Sequence, residues 1–285
     1  MALNVWFGRI AQLVRSYDNP RLYIKNIVYR LPSTVSDLDI IFVVGAPRSG
    51  TTLLQSLLAA HSKLFSIEAE TAMFSYQNIF DPKRRHFGLS PHQLEGLFGQ
   101  SKDIVDFFSK AVNLLSAKYN HKRFVEKTPQ HVFYLRFIFK HFPKSKVIHI
   151  VRDGRDCYCS SKFHPNIPQG KSVTSFAKYW KKCVKSAKLL QNNANILTIK
   201  YEELVNSPQI SLQEIMDFLG LKYEKDQLDQ LVYGADVRSR LEPFSKLAKP
   251  IDASSVGRYL LEMSDNECCN FERIARKELS HFGYP

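Results

Sequence analysis

The stretch Ile40-Ile-Phe-Val-Val-Gly-Ala-Pro-Arg-Ser-Gly-Thr-Thr-Leu-Leu54 decides how the rest of the chain is read. Ile40 to Val44 is continuously apolar and largely β-branched, the composition of a central parallel strand covered on both faces. From Thr51 to Ala60 the apolar positions Leu53, Leu54, Leu57 and Leu58 recur with helical spacing. Gly45 to Thr52 must turn the chain between them, and Gly45 and Gly50 permit backbone conformations closed to other residues. The helix that follows aims its free N–H groups and positive dipole end back at the loop, so the pattern predicts an anion site.

The loop is close to the phosphate-binding pattern G-x-x-x-x-G-K-S/T, with Gly45, Gly50 and Thr52 in register. Thr51 stands where that pattern keeps a lysine for the β- and γ-phosphates, and the cation sits earlier, at Arg48. The change argues against ATP γ-phosphoryl transfer and for a ligand whose 5′-phosphate ends in something other than a triphosphate. A later segment, Val147-Ile-His-Ile-Val-Arg152-Asp-Gly-Arg-Asp-Cys-Tyr-Cys-Ser160, repeats the layout of strand, cation and helix. Arg152 falls at the strand's carboxyl end and Ser160 about two turns along the helix, where both can face one anion.

Pro47-Arg48-Ser49-Gly50-Thr51-Thr52, followed by Arg152 with a serine eight residues on, resembles the donor site of sulfotransferases that use 3′-phosphoadenosine 5′-phosphosulfate (PAPS). The resemblance runs from about Asp39 to Met263. It implies a three-layer α/β fold with a central, mainly parallel sheet of five strands flanked by helices, similar to P-loop nucleotide kinases. It implies that Arg48, Ser49, Gly50, Thr51 and Thr52 hold the 5′-phosphosulfate and that Arg152 and Ser160 hold the 3′-phosphate. Lys127, in Arg123-Phe-Val-Glu-Lys-Thr-Pro-Gln-His131, matches the family lysine at the leaving bridging oxygen, where a cation opposes the developing charge. Tyr201 falls near the adenine, and Ser254, Ser255 and Arg258 match a closing segment that contacts the donor. The resemblance implies PAPS as the donor and adenosine 3′,5′-bisphosphate as the product, and no metal is expected.

The base is read from two places. The short strand Leu64 to Ile67 delivers Glu68 and Glu70 to the carboxyl edge of the sheet, beside the loop, where open α/β sheets bind ligands. Glu70, followed by Thr71, matches the base of the family's protein-tyrosine branch, and a carboxylate in a dry pocket has its pKa raised toward neutrality. Lys127-Thr128-Pro129 replaces the Lys-Thr-His of the phenol and steroid branch, whose histidine is the base. Glu68 and His131 remain as acceptor-binding or substitute-base candidates, and Arg155 as a neighbour of the second cradle.

The chain's 285 residues, 44% of them hydrophobic and 12% aromatic, suffice for one large α/β domain over 1–285. Residues 1–39 read as a helical extension and 72–121 as a helical insertion covering the acceptor, with Leu94 to Leu115 one long amphipathic stretch. The net charge of +13 points to an anionic partner. Nucleic acid, an acidic membrane and a phosphorylated nucleotide all fit, but the basic residues are scattered and no nucleic-acid module appears, so no nucleic-acid partner is expected. Five cysteines without paired spacing suit a reducing compartment. No run approaches the ~20 apolar residues of a membrane span, and the N-terminal residues lack a signal-like apolar core. The expectation is a cytoplasmic enzyme without stable membrane insertion, a monomer or homodimer, acting on a small metabolite, natural product, sugar or lipid. The alternatives are a P-loop small-molecule kinase and a non-catalytic nucleotide or nucleic-acid binder.

Overall fold

The computed structural model describes residues 27–75, 88–234 and 249–285. Five strands, β1 (Ile41–Gly45), β2 (Leu64–Ser66), β3 (Arg123–Lys127), β4 (Lys146–Val151) and β5 (Ile196–Lys200), pair in the order β2-β3-β1-β4-β5. Every pairing is parallel. The helices are α1 (Thr51–Ala59), α2 (Pro91–Gln100), α3 (Ile104–Lys118), α4 (Leu135–His141), α5 (Gly154–Ser161) and α6 (Val173–Lys188). They continue with α7 (Tyr201–Asn206), α8 (Pro208–Leu219), the single turns α9 (Gln230–Tyr233) and α10 (Tyr259–Glu262), and α11 (Asp265–His281).

Alternation along β1 builds a core on each face of the sheet. Ile41 and Val43 pack with Leu54, Leu57, Leu212 and Ile215 from α1 and α8. Phe42 and Val44 pack with Phe108, Phe142, Trp180 and Phe271, from the layer that holds α3, α6 and α11. A strand covered on both sides needs apolar residues at every position, which is why Ile40 to Val44 shows no polar alternation. The connection from β1 to β2 runs through α1 on one face, while that from β3 back across β1 to β4 runs through α4 on the other. Right-handed crossovers in opposite directions require that change of face, and they open a crevice at the carboxyl ends beside β1.

The stretch expected as one helix between Leu94 and Leu115 is two. Asp103 ends it by capping α3, its Oδ1 accepting from the backbone N–H groups of Val105 and Asp106 at 2.9 and 3.0 Å. Its Oδ2 accepts from the Ser33 and Thr34 backbone and the Thr34 hydroxyl, tying the segment before β1 to the start of α3. α3 is a layer of the core, burying Phe107, Phe108 and Val112. Residues 76–87 of the expected insertion and residues 1–26 of the expected extension lie outside the described residues. From residue 29 on, the extension braces the fold through Tyr29, whose ring packs on Phe98 at 6.2 Å. No helix among the described residues is long and apolar enough to cross a membrane.

Candidate active site

The loop between β1 and α1 holds its shape from within. Ser49 is fully buried and its hydroxyl donates to the Ala46 carbonyl at 2.8 Å, so its side chain shapes the loop. Gly50 has φ 99°, and a Cβ there would lie 2.5 Å from the Tyr201 ring; both conformation and space exclude a larger residue. As the N-cap of α1, Gly50 supplies no side chain to the helix's first N–H groups, which therefore remain available to an anion. Arg48 also takes a left-handed backbone, with φ 67°.

The second cradle lies against the first. Arg152, at the end of β4, donates through Nη1 to the Arg48 carbonyl at 3.2 Å and through Nη2 to the Ser255 carbonyl. Its guanidinium lies 4.5 Å from the Tyr201 ring centroid, and its Nε is buried with no hydrogen-bond partner. Arg48 Nε donates to Ser160 Oγ at 2.9 Å, so the guanidinium expected at the 5′-phosphosulfate is bonded within the second cradle. Burial, with the positive charge of Arg152 beside it, lowers the pKa of Arg48. Two adjacent cations and an unsatisfied buried N–H make a place that favours an anion.

A cavity of about 730 Å³, in the size range of a nucleotide site, joins the two cradles. Gly50, Thr51 and Thr52 line one end, and Arg152, Ser160 and Tyr201 another. Ser255 and Arg258 border it from the C-terminal segment, Arg258 paired with Glu262 at 2.8 and 2.9 Å. Ser254 is exposed and off the lining: it is Ser255 that turns inward, because Arg152 binds its carbonyl. What seats this segment is Asp156, which the sequence reading passed over. Its carboxylate accepts from the backbone N–H groups of Gly257 at 2.9 Å and Tyr259 at 3.0 Å, and burial raises its pKa. The spacing Asp153-x-x-Asp156 on the helix after Arg152 was the available signal. Arg155 belongs to the framework: buried, it binds Asp153 and Glu272 and stacks on Tyr259 at 3.9 Å.

Glu70 and Lys127 form a separate pair, with Lys127 Nζ 2.7 Å from Glu70 Oε1. Lys127 pairs in register with Val43 of β1, so the two residues stand at the sheet's carboxyl edge one strand from the loop. Lys127 is 3% exposed and Glu70 47%, so the dry pocket expected around Glu70 is not built by the described residues. Glu68 is exposed as well.

His131 is not a base or an acceptor ligand. It is fully buried, its Nε2 accepts from the Phe74 N–H at 3.2 Å, and its Nδ1 is 2.9 Å from Glu126 Oε2. The first bond puts the ring proton on Nδ1, which donates to Glu126, and both nitrogens are then used. Glu126, to which the sequence assigned no role, is 0% exposed. The alternation of β3, with Lys127 toward the edge, was the signal that Glu126 points into the core.

A family model described as Sulfotransferase family matches residues 39–225. The chain is 28% identical over 218 residues to a putative protein-tyrosine sulfotransferase of Caenorhabditis briggsae, covering 73% of this chain and 75% of that protein. It is 25% identical over 211 residues to an uncharacterized protein of Aquifex aeolicus (strain VF5), covering 66% of this chain but only 26% of that longer protein. Among solved structures, the sulfotransferase domain of the Synechococcus PCC 7002 olefin synthase superposes with a TM-score of 0.68 at 20% identity, covering 89% of this chain and 98% of that one. Mouse sulfotransferase SULT7A1, complexed with PAP, superposes with a TM-score of 0.56 at 19% identity, covering 90% and 89%. The two structures share this chain's fold.

Proposed function

The chain belongs to the sulfotransferase family, and from that premise we propose that it moves the sulfuryl group of PAPS to a hydroxyl or amine of an acceptor, releasing adenosine 3′,5′-bisphosphate. The observation that carries this reading is the single cavity shared by Gly50–Thr52 and by Arg152 and Ser160, with the Arg152 Nε unsatisfied in its wall. An adenosine bearing an anion at both its 3′ and 5′ positions is the ligand that two neighbouring cradles suit, and the mouse structure of the same fold is complexed with PAP.

In this reading the N–H groups opening α1 hold the 5′-phosphosulfate, with the Thr51 and Thr52 hydroxyls beside them. Arg152 and Ser160 hold the 3′-phosphate, joined there by Arg48, and Tyr201, Ser255 and Arg258 border the nucleoside. The acceptor oxygen or nitrogen attacks sulfur as the bridging S–O bond breaks, and the bonding pair passes to the 5′-phosphate oxygen. Lys127 and the helix N–H groups oppose the charge gathering there. The acceptor proton goes to Glu70, through the oxygen not bonded to Lys127. The acceptor is a small metabolite, natural product, sugar or lipid; a polypeptide tyrosine is the second reading, favoured by the Glu70-Thr71 pair and by the Caenorhabditis briggsae relative.

Labelled PAPS tests the proposal directly. Label should pass to an acceptor, with Glu70→Gln lowering kcat about 10²-fold while adenosine 3′,5′-bisphosphate binding is kept. Turnover of ATP in place of PAPS would favour the kinase alternative. Tight nucleotide binding with no transfer to any acceptor would favour the non-catalytic one.

A further inference from the structure

We propose that Glu126 is a positioning residue, whose buried carboxylate fixes the backbone turn after Glu70 and so sets Glu70 beside Lys127. The inference deepens the proposed function and rests on its assignment of Glu70 as the base. Glu126 has no exposure, pairs in register with Phe42 of β1, and is bonded to His131, whose ring lies against Phe42 and Phe74. A carboxylate is expensive in such a place and persists only when fully hydrogen-bonded. Burial opposes its ionisation, but His131 and the Thr128 and Thr71 hydroxyls outweigh that and hold the carboxyl below its ordinary range.

Those three partners do more than satisfy the carboxylate. Thr128 Oγ1 donates to Glu126 Oε1 at 2.6 Å and accepts from the Ala72 N–H at 3.0 Å. Thr71 Oγ1 donates to the same oxygen at 2.7 Å and accepts from the Met73 N–H at 3.3 Å. His131 Nδ1 donates to Oε2 at 2.9 Å while its Nε2 accepts from the Phe74 N–H at 3.2 Å. Three consecutive backbone N–H groups, at 72, 73 and 74, are thus received by three side chains that all converge on one carboxylate.

The turn needs such a hold. Residues 72–75 are neither helix nor strand, and Ala72 sits at φ 47°, a left-handed conformation that a Cβ disfavours. Glu70 lies two residues before Ala72 and is bonded to Lys127, the neighbour of Glu126 on β3. One strand therefore grips the segment twice: Lys127 takes the Glu70 side chain, and Glu126 takes the backbone that follows it.

Glu126→Gln keeps the volume, but a carboxamide has one acceptor oxygen and brings two donors into a site that already supplies three. The expected result is kcat lowered 10-fold or more, with the affinity for adenosine 3′,5′-bisphosphate within 2-fold of the parent. Because Glu126 acts through Glu70, the double variant Glu70→Gln/Glu126→Gln should be no slower than Glu70→Gln alone. Should Glu126→Gln fail to fold, Thr128→Val removes one arm of the clamp and should lower kcat with the same unchanged affinity, while Thr128→Ser, which keeps the hydroxyl, should restore it. An unchanged kcat, an equal loss of donor affinity, or additive losses in the double variant would each overturn the proposal. If Glu70→Gln alone leaves kcat unchanged, the base assignment falls and the proposal with it. An effect of Glu70→Gln without one of Glu126→Gln removes the positioning role only.

Discussion

Arg152 joins several walls of the cavity: Arg48, Ser255 and Tyr201 all touch its guanidinium, and Trp180 binds its backbone carbonyl at 3.1 Å. Hydrogen bonds between charged groups are the strong ones, so Arg152→Ala should weaken adenosine 3′,5′-bisphosphate binding by roughly 10²-fold, with kcat at saturating PAPS little changed. Calorimetry beside initial rates separates the two effects, and a loss of rate alone would remove Arg152 from donor binding. A second residue speaks to acid stability. His149 is buried in β4 with Nε2 unsatisfied, and burial pushes its pKa down from 6.5 to about 4. The fold accepts only the neutral ring, so this contribution is complete above pH 6.5 and declines as the pH falls toward 4. At pH 5 the loss is about 2 kcal/mol. Denaturant unfolding at pH 7 and pH 5 should show that difference, and His149→Leu should remove most of it. Arg152 and Ser160 could be placed on one cavity because the passage from strand end to helix that separates them is local. Glu126 and Asp156 were not, because what makes each important is a partner 55 or 101 residues away.

Elements follow the same division. β1, α1 and the loop between them could be drawn from Ile40 to Ala60, since buried strand, glycine and helical period are all local signals. The break between α2 and α3 escaped because Asp103 reads as one more polar residue in an amphipathic stretch until Ser33 and Thr34 are seen beside it. The segment bearing Ser254 and Ser255 has no period at all, and its register is set by Asp156 and Arg152 from another helix. The tightest prediction at this scale concerns the junction of loop and helix. Gly50→Ala must adopt φ 99° against the Tyr201 ring, and such conformations cost of order 1–3 kcal/mol for a residue with a Cβ. Unfolding should register at least that loss, and nucleotide affinity should fall with it, because Tyr201 also backs Arg152. An alanine variant of parent stability and affinity would show that the helix start tolerates a different path.

Across the whole molecule the sheet separates two cores and leaves a single edge where Gly50, Arg152, Tyr201 and Ser255 meet, residues spread over most of the described chain. A ligand that bridges them should stabilise the fold as a unit. At 100 times its dissociation constant, adenosine 3′,5′-bisphosphate should add about 2.7 kcal/mol. The rise should appear in thermal unfolding, with adenosine 5′-monophosphate at the same concentration giving much less, because it leaves Arg152 and Ser160 without an anion. Equal shifts from the two nucleotides would mean that the second cradle does not read the 3′ position.

Asp156 fastens the segment around Gly257 and Tyr259 to the same helix that carries Ser160, while Arg152 clasps Ser255. Seating that strap and seating the nucleotide are therefore one reciprocal equilibrium: whatever factor the settled strap lends to the grip on the donor, the donor lends back to the strap. On the proposed reading, a protease cutting between residues 249 and 258 should be slowed by bound adenosine 3′,5′-bisphosphate to that same degree, and digestion at equal rates with and without the nucleotide would show that strap and ligand are uncoupled.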